Sequence, residues 1–218
     1  MIKAAIFDAG DIVYYRDEET LKPILDILNK NGFNISAKAF LKAYDKHSLA
    51  LYKGQISKDD NLKKVLKFLK IKFNERLFNQ FAKVFRKNFS NIKIKENIYK
   101  IFEKIKSKGI KIAILTDTFS SEGKKWEWFK SINIAQFIDI VISSSATGYT
   151  KDEKEAYMTT LQRLNLKPKE VIFIGHKKYE MKGAKLAGVK TVSLEKGTGA
   201  DYYVSDVSDI LNLIKKLN

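Results

Sequence analysis

Two hydrophobic periodicities divide the chain. Ile2-Lys3-Ala4-Ala5-Ile6-Phe7-Asp8 is a largely apolar run with a β-branched start, the pattern of a strand buried on both faces of a parallel sheet, and it stops abruptly at a carboxylate. From Glu18 to about Ser90 the apolar positions recur only at helical spacing. Helices are expected over Thr20–Asn31, Ser36–Tyr52, Ser57–Leu69 and Asn74–Phe89, with Ser36, Ser57 and Asn74 as capping residues and Gly32 and Gly54 as stops. From Ile94 onward helix alternates with short apolar strand. The expected strands are Ile110–Thr116, Ile138–Ser143, Val171–Gly175, Lys190–Leu194 and Tyr202–Val204, and the expected helices are Glu96–Lys108, Ser121–Ile132, Asp152–Leu164, Tyr179–Ala187 and Ser208–Leu217; Ser144–Thr150 reads as a loop. This alternation predicts an α/β fold, a doubly wound parallel, Rossmann-like sheet built from residues 1–15 and 91–218, interrupted by an all-helical domain over residues 16–90.

Composition narrows the chemistry. The chain has no cysteine, which removes disulfides, thiol nucleophiles and cysteine-held zinc. No apolar stretch approaches the roughly eighteen residues needed to span a bilayer, and the first apolar run is only strand-length, so a cytoplasmic protein with no membrane partner is expected. A formal charge of +16 raises the question of nucleic acid. Its distribution argues otherwise. Arg16, Arg76, Arg86 and Arg163 are the only arginines, lysines are spread over nearly every helix, and no basic run is interleaved with aromatics. No nucleic-acid partner is expected, while a general positive field would draw in a small anionic substrate.

The candidate chemistry sits at strand ends. In open α/β sheets, ligands bind where the loops leave the carboxyl ends of the strands, and that edge carries Asp8, Thr116 and the Gly175-His176 pair. Lys151 follows the turn Gly148-Tyr149-Thr150 at the start of a helix. A carboxylate can attack carbon or phosphorus, a strand-end hydroxyl can hold an oxyanion, and an ammonium can offset the charge of both nucleophile and substrate. Each has a plainer reading, as a helix cap or a solvated lysine. Tyr44, His47 and Ser48 share one helix face and Trp126 and Trp128 lie close together, and packing is the weightier reading of both sets.

The ordered set, Phe7-Asp8-Ala9-Gly10, a strand ending in Thr116, Gly148-x-x-Lys151, and Val171-Ile-Phe-Ile-Gly175-His176-x-x-x-Glu180-x-x-Gly183-Ala184-Lys185-x-Ala187-Gly188-Val189, resembles the four motifs of the haloacid dehalogenase-like hydrolase superfamily. The helical insertion resembles the cap of the subgroup with an α-helical lid. The resemblance implies Asp8 as a nucleophile forming a covalent aspartyl intermediate, Thr116 as the second-motif hydroxyl and Lys151 as the third-motif cation. It implies Mg²⁺ held by Asp8, the Gly10 carbonyl, Glu180 and waters, or, since His176 stands where an Asp is usual, Lys151 and a protonated His176 in its place, with Asp117, Tyr15, Arg16 and His176 toward the substrate. A phosphatase acting on a small phosphorylated metabolite is the leading expectation. A metal-independent 2-haloacid dehalogenase-type hydrolase, or a degenerate member that binds a ligand or partner, are the alternatives. Two positions depart from the phosphatase pattern: Gly10 stands where a second Asp usually serves as acid and base, and His176 where an Asp usually meets Mg²⁺. A neutral nitrogen donor is a poor match for a hard cation that prefers oxygen.

Overall fold

Strand β1 (Ala4–Asp8) runs through the middle of a six-stranded parallel sheet in the computed structural model, which describes residues 1–218. It is flanked by β4 (Lys111–Thr116) and β6 (Val171–Gly175); β5 (Ile140–Ser143) lies outside β4, and β7 (Lys190–Ser193) and β8 (Tyr202–Tyr203) lie beyond β6. The order β5-β4-β1-β6-β7-β8 makes β1 the switch point at which successive strands change sides, and there the crossover loops on either side diverge and leave a crevice. Two short strands outside the sheet, β2 (Tyr14–Tyr15) and β3 (Lys93–Ile94), pair with each other.

Alternation along β1 decides which groups Asp8 meets. Ala4 and Ile6 pack in one apolar cluster with Tyr157 and Leu161 of α8 (Lys154–Leu164) and Met181 and Ala184 of α9 (Lys178–Leu186). Phe7 faces the other way, its ring 4.9 Å from that of Phe102 on α5 (Ile98–Ser107). Both faces are covered, which is why β1 and β6 are buried at every position. With a period of two, Asp8 points to the α8–α9 side along with Ala4 and Ile6. The remaining helices of this part are α6 (Glu122–Ser131), α7 (Ser144–Thr147) and α10 (Ile210–Leu217). The expected loop after β5 thus holds one helical turn, closed by Gly148 at φ +78°. Helix α5 starts two residues later than its apolar pattern suggests, because Asn97 takes a left-handed conformation at φ +65°.

Chain contacts divide the molecule into two units, Met1–Tyr14 with Ile94–Asn218, and Tyr15–Lys93. The second unit is α1 (Glu18–Asn29), α2 (Ala37–Tyr52), α3 (Lys58–Phe68) and α4 (Glu75–Asn88). Each start is capped: the side chains of Asp17, Ser36, Ser57 and Asn74 accept from the backbone N–H groups of Thr20, Ala39, Asp60 and Leu77. Inside, Phe40, Tyr44, Phe81, Phe85 and Phe89 form an aromatic stack, with Phe85 and Phe89 ring centroids 4.4 Å apart and Tyr44 and Phe89 4.7 Å apart. Burial of such side chains contributes about 1.5–3 kcal/mol each. Tyr44 and Ser48 are buried here and Trp128 is buried in the sheet unit, so packing accounts for them. No helix is long and apolar enough to cross a membrane.

One glycine sets how closely α9 approaches the turn before α8. A Cβ at Gly183 would lie 2.2 Å from the Lys151 carbonyl oxygen and 3.0 Å from the Tyr157 ring. Gly183→Ala is therefore expected to lower stability by about 2 kcal/mol or more in urea denaturation, against the gain of about 1 kcal/mol that alanine brings to an open helix site. Gly123→Ala in α6, where a Cβ meets nothing within 4 Å, is the control and should be neutral or stabilising.

Candidate active site

Three charged side chains from three elements meet inside the sheet unit. Lys151, in the turn before α8, places its ammonium against Asp8 Oδ1 and 2.6 Å from Glu180 Oε1 on α9. All three side chains are almost wholly buried. Removing one partner of such a set leaves an uncompensated buried charge, at a cost of about 3–5 kcal/mol. Burial pushes the Asp8 carboxyl up, but Lys151 and His176 more than offset this and hold it well below the usual carboxylate range. Burial likewise works against the Lys151 charge, and Asp8, Glu180 and Asp117 together keep its pKa well above the ordinary lysine value.

The turn carrying Lys151 is held at both ends of the residue. The Lys151 N–H donates to Asp117 Oδ1 at 3.0 Å, and the Tyr157 hydroxyl lies 3.2 Å from the Lys151 carbonyl and 2.8 Å from that of Glu180, tying α8 to α9. The Thr150 N–H donates to Glu153 Oε2 at 3.0 Å, bracing the turn from within. Asp117, which the sequence places toward the substrate, accepts from the Lys151 backbone and lies 3.5 Å from the Tyr179 hydroxyl. Tyr157 and Tyr179 escape sequence reasoning, because nothing in their local pattern separates them from other helical aromatics. The closest signal was the glycine at position 183, whose small size admits the Lys151 turn.

The other expected residues take varied positions. Thr116 is buried at the end of β4, opposite Ser143 and one residue past Leu115, the partner of Asp8 in the register; no side-chain hydrogen bond joins it to Asp8. His176 follows β6 and brings Nδ1 to 3.3 Å from Asp8 Oδ2, the oxygen that Lys151 leaves to it. Burial draws the imidazole pKa down, but the contact with Asp8 outweighs that and raises it. Asp11 does not continue an extended strand. It turns at φ +60°, and its exposed carboxylate lies 4.0 Å from His176 Nε2. Within the helical unit, Arg16 is engaged at the end of α4, stacked 4.1 Å over the Phe89 ring and donating Nε and Nη2 to the Phe89 carbonyl; Tyr15 is half-buried on β2.

Asp8, His176 and Glu180 are the one group of side chains close enough to share a metal ion, with ligand atoms within 4.8 Å of one another. The donor set fits Mg²⁺ poorly. Glu180 Oε2 accepts the backbone N–H groups of His176 and Lys177, both at 3.1 Å, and Oε1 faces Lys151. Asp8 Oδ1 accepts the Ala9 N–H at 2.8 Å as well as the ammonium. A small dication that requires near-octahedral oxygen coordination finds one uncommitted carboxylate oxygen, Asp8 Oδ2, and an imidazole nitrogen.

Asp117 gives a measurable consequence. Burial raises its pKa to about 6, opposed by Lys151 and reinforced by Asp8 and Glu180. The folded protein thus binds this proton more tightly than the unfolded chain, whose value is 3.8. The stability the group contributes is complete below about pH 4 and is lost as pH rises through about 6. Asp117→Asn, which keeps an oxygen for the Lys151 N–H, should gain on the wild type between pH 4 and pH 8 by on the order of 1–3 kcal/mol, measured by urea denaturation at both pH values.

Known proteins agree with this architecture. The haloacid dehalogenase-like hydrolase family matches residues 6–194. The chain is 25% identical to a glyceraldehyde 3-phosphate phosphatase of Methanocaldococcus jannaschii, covering 100% of this chain and 99% of that protein. It is 26% identical to the pyrophosphatase PpaX of Bacillus mycoides over 56% of this chain and 60% of that protein. In fold it is similar to the L-2-haloacid dehalogenase of Xanthobacter autotrophicus, with a TM-score of 0.76 at 15% identity over all of both chains. A β-phosphoglucomutase from Clostridium difficile gives 0.67 at 19% identity, over 100% of this chain and 97% of that one. With a parallel sheet whose switch-point strand ends in Asp8, and a family match over most of its length, the chain belongs to the haloacid dehalogenase-like hydrolases.

Proposed function

We propose that this hydrolase is a phosphatase of a small phosphorylated metabolite and that Asp8 is its covalent nucleophile. The observation that carries the reading is the state of Asp8: buried, held ionised, and oriented so that Lys151 takes Oδ1 while Oδ2 remains for attack. Oδ2 attacks phosphorus, the ester P–O bond breaks, and the leaving alkoxide takes a proton. Water then attacks phosphorus in the aspartyl phosphate and gives a proton back to His176, the bond from Asp8 Oδ2 to phosphorus breaks, and inorganic phosphate is released with the carboxylate restored. His176 faces Oδ2 and, with its raised pKa, is placed to supply the first proton. Thr116 and the backbone beyond β4 contribute donors for the phosphoryl oxygens. Asp117 and Tyr157 act through Lys151 as positioning residues.

The names of the two curated relatives support phosphate chemistry. In this reading the helical unit, inserted after the first motif, contributes to substrate selection, with Tyr15 and Arg16 at its start in sequence. The donor set around Asp8 does not suit the Mg²⁺ that the family resemblance implies. One observation favours a second reading, attack on carbon in a 2-haloacid: Gly10 provides no carboxylate two residues after Asp8, and a halide leaves without a proton.

A panel of phosphate monoesters and 2-haloacids, followed by phosphate and halide release, separates the two. Phosphate release is expected, and Asp8→Asn should reduce it at least about 10³-fold with little change in fold by circular dichroism. Halide release lost in the same variant would replace the first reading by the second. Turnover that survives Asp8→Asn would remove the nucleophile from both.

A further inference from the structure

The place between the two acidic groups where a divalent cation would sit is already taken by a cation of the chain. Lys151 Nζ contacts one oxygen of Asp8 and one of Glu180, and its side chain is 3% exposed. The second Glu180 oxygen is spent on two backbone N–H groups at the start of α9, half of a capping box. The third side chain of the cluster is an imidazole, a donor that suits neither Mg²⁺ nor Ca²⁺. The backbone that carries the ammonium is also held in place. Its residue is pinned through its N–H by Asp117 and through its carbonyl by Tyr157, and the absence of a side chain at Gly183 lets α9 close against it. A dication entering the cluster would have to share two carboxylates with a fixed positive charge.

We propose that Lys151 is the resident cation of this site and that the protein holds no divalent ion between Asp8 and Glu180. This goes beyond the assignment of substrate and does not depend on it. The ammonium does the electrostatic work a metal does elsewhere: it keeps Asp8 ionised, fixes which of its oxygens is free, and offsets its charge toward an approaching anion.

The test uses the metal alone and needs no substrate. Titration of the wild-type protein with Mn²⁺, read by electron paramagnetic resonance with Mg²⁺ as competitor, should show no saturable site up to about 1 mM, and 10 mM MgCl₂ should leave its Tm unchanged. Lys151→Met, which uncovers two carboxylates, should acquire a one-to-one Mn²⁺ site at least tenfold tighter, and its Tm should rise with MgCl₂. A saturable, Mg²⁺-competed site in the wild type that is lost in Glu180→Gln would overturn the proposal. So would a folded Lys151→Met that binds no Mn²⁺. If Lys151→Met does not fold, the wild-type titration still decides. Because no turnover is measured, the result stands whatever the substrate panel gives.

Discussion

A buried carboxylate can stay ionised only beside a buried cation, and the sheet unit is built around meeting that condition at Asp8. Desolvation alone would neutralise Asp8, and Lys151 prevents it. The ammonium in turn is tolerable in the interior only because Glu180 and Asp117 share its charge. Glu180 is fixed by the backbone at the start of α9, Lys151 by the turn before α8, and Asp8 by its place at the end of the switch-point strand. The set is therefore as rigid as the crossovers that carry it. Gly175 and Gly183 belong to the same condition: a Cβ at Gly175 would lie 2.6 Å from Glu180 Oε2, and one at Gly183 would meet the Lys151 carbonyl. The geometry of the charged cluster and helix packing are here one requirement on the same few residues.

The helical unit follows a different logic. Its stability rests on an aromatic stack and on polar caps at every helix start, and none of its charged side chains is buried. It also carries most of the basic excess: 18 basic and 8 acidic residues fall in residues 15–93, a formal +10 of the total +16. Packing by apolar rings leaves the surface charge unconstrained by the fold. That surface can therefore hold many lysines at little cost and, through its field, favour anionic ligands.

Much of this was legible in the amino-acid pattern, for identifiable reasons. Strands buried on both faces write unbroken apolar runs, so β1, β4 and β6 stand out, and their polar terminators mark the functional edge. Capped helices announce their starts, and Ser36, Ser57 and Asn74 are where expected. What stayed hidden depends on backbone turns or on distant packing. Asp11 turns toward His176 because its backbone is left-handed, which no side-chain pattern encodes. Arg16 reads as a substrate-facing cation, yet its guanidinium is engaged by a carbonyl seventy-three residues away in sequence. The roles of Asp117 and Tyr157 likewise arise only once α8, α9 and the loop after β4 are folded together.

The two departures from the phosphatase pattern are consistent with each other and with the lysine bridge. In the phosphatase pattern positions 10 and 176 carry acids; here Gly10 and His176 stand in those places. With Gly10 and His176 in those places, Asp8 and Glu180 are the only carboxylates that touch Lys151 Nζ, and the imidazole adds no negative charge. The positive charge beside Asp8 is supplied by Lys151 and by an imidazole whose pKa the contact with Asp8 raises. The absence of two acidic groups, which in isolation suggests a damaged site, is compatible with an ionised Asp8, because the charge that holds it comes from within the chain.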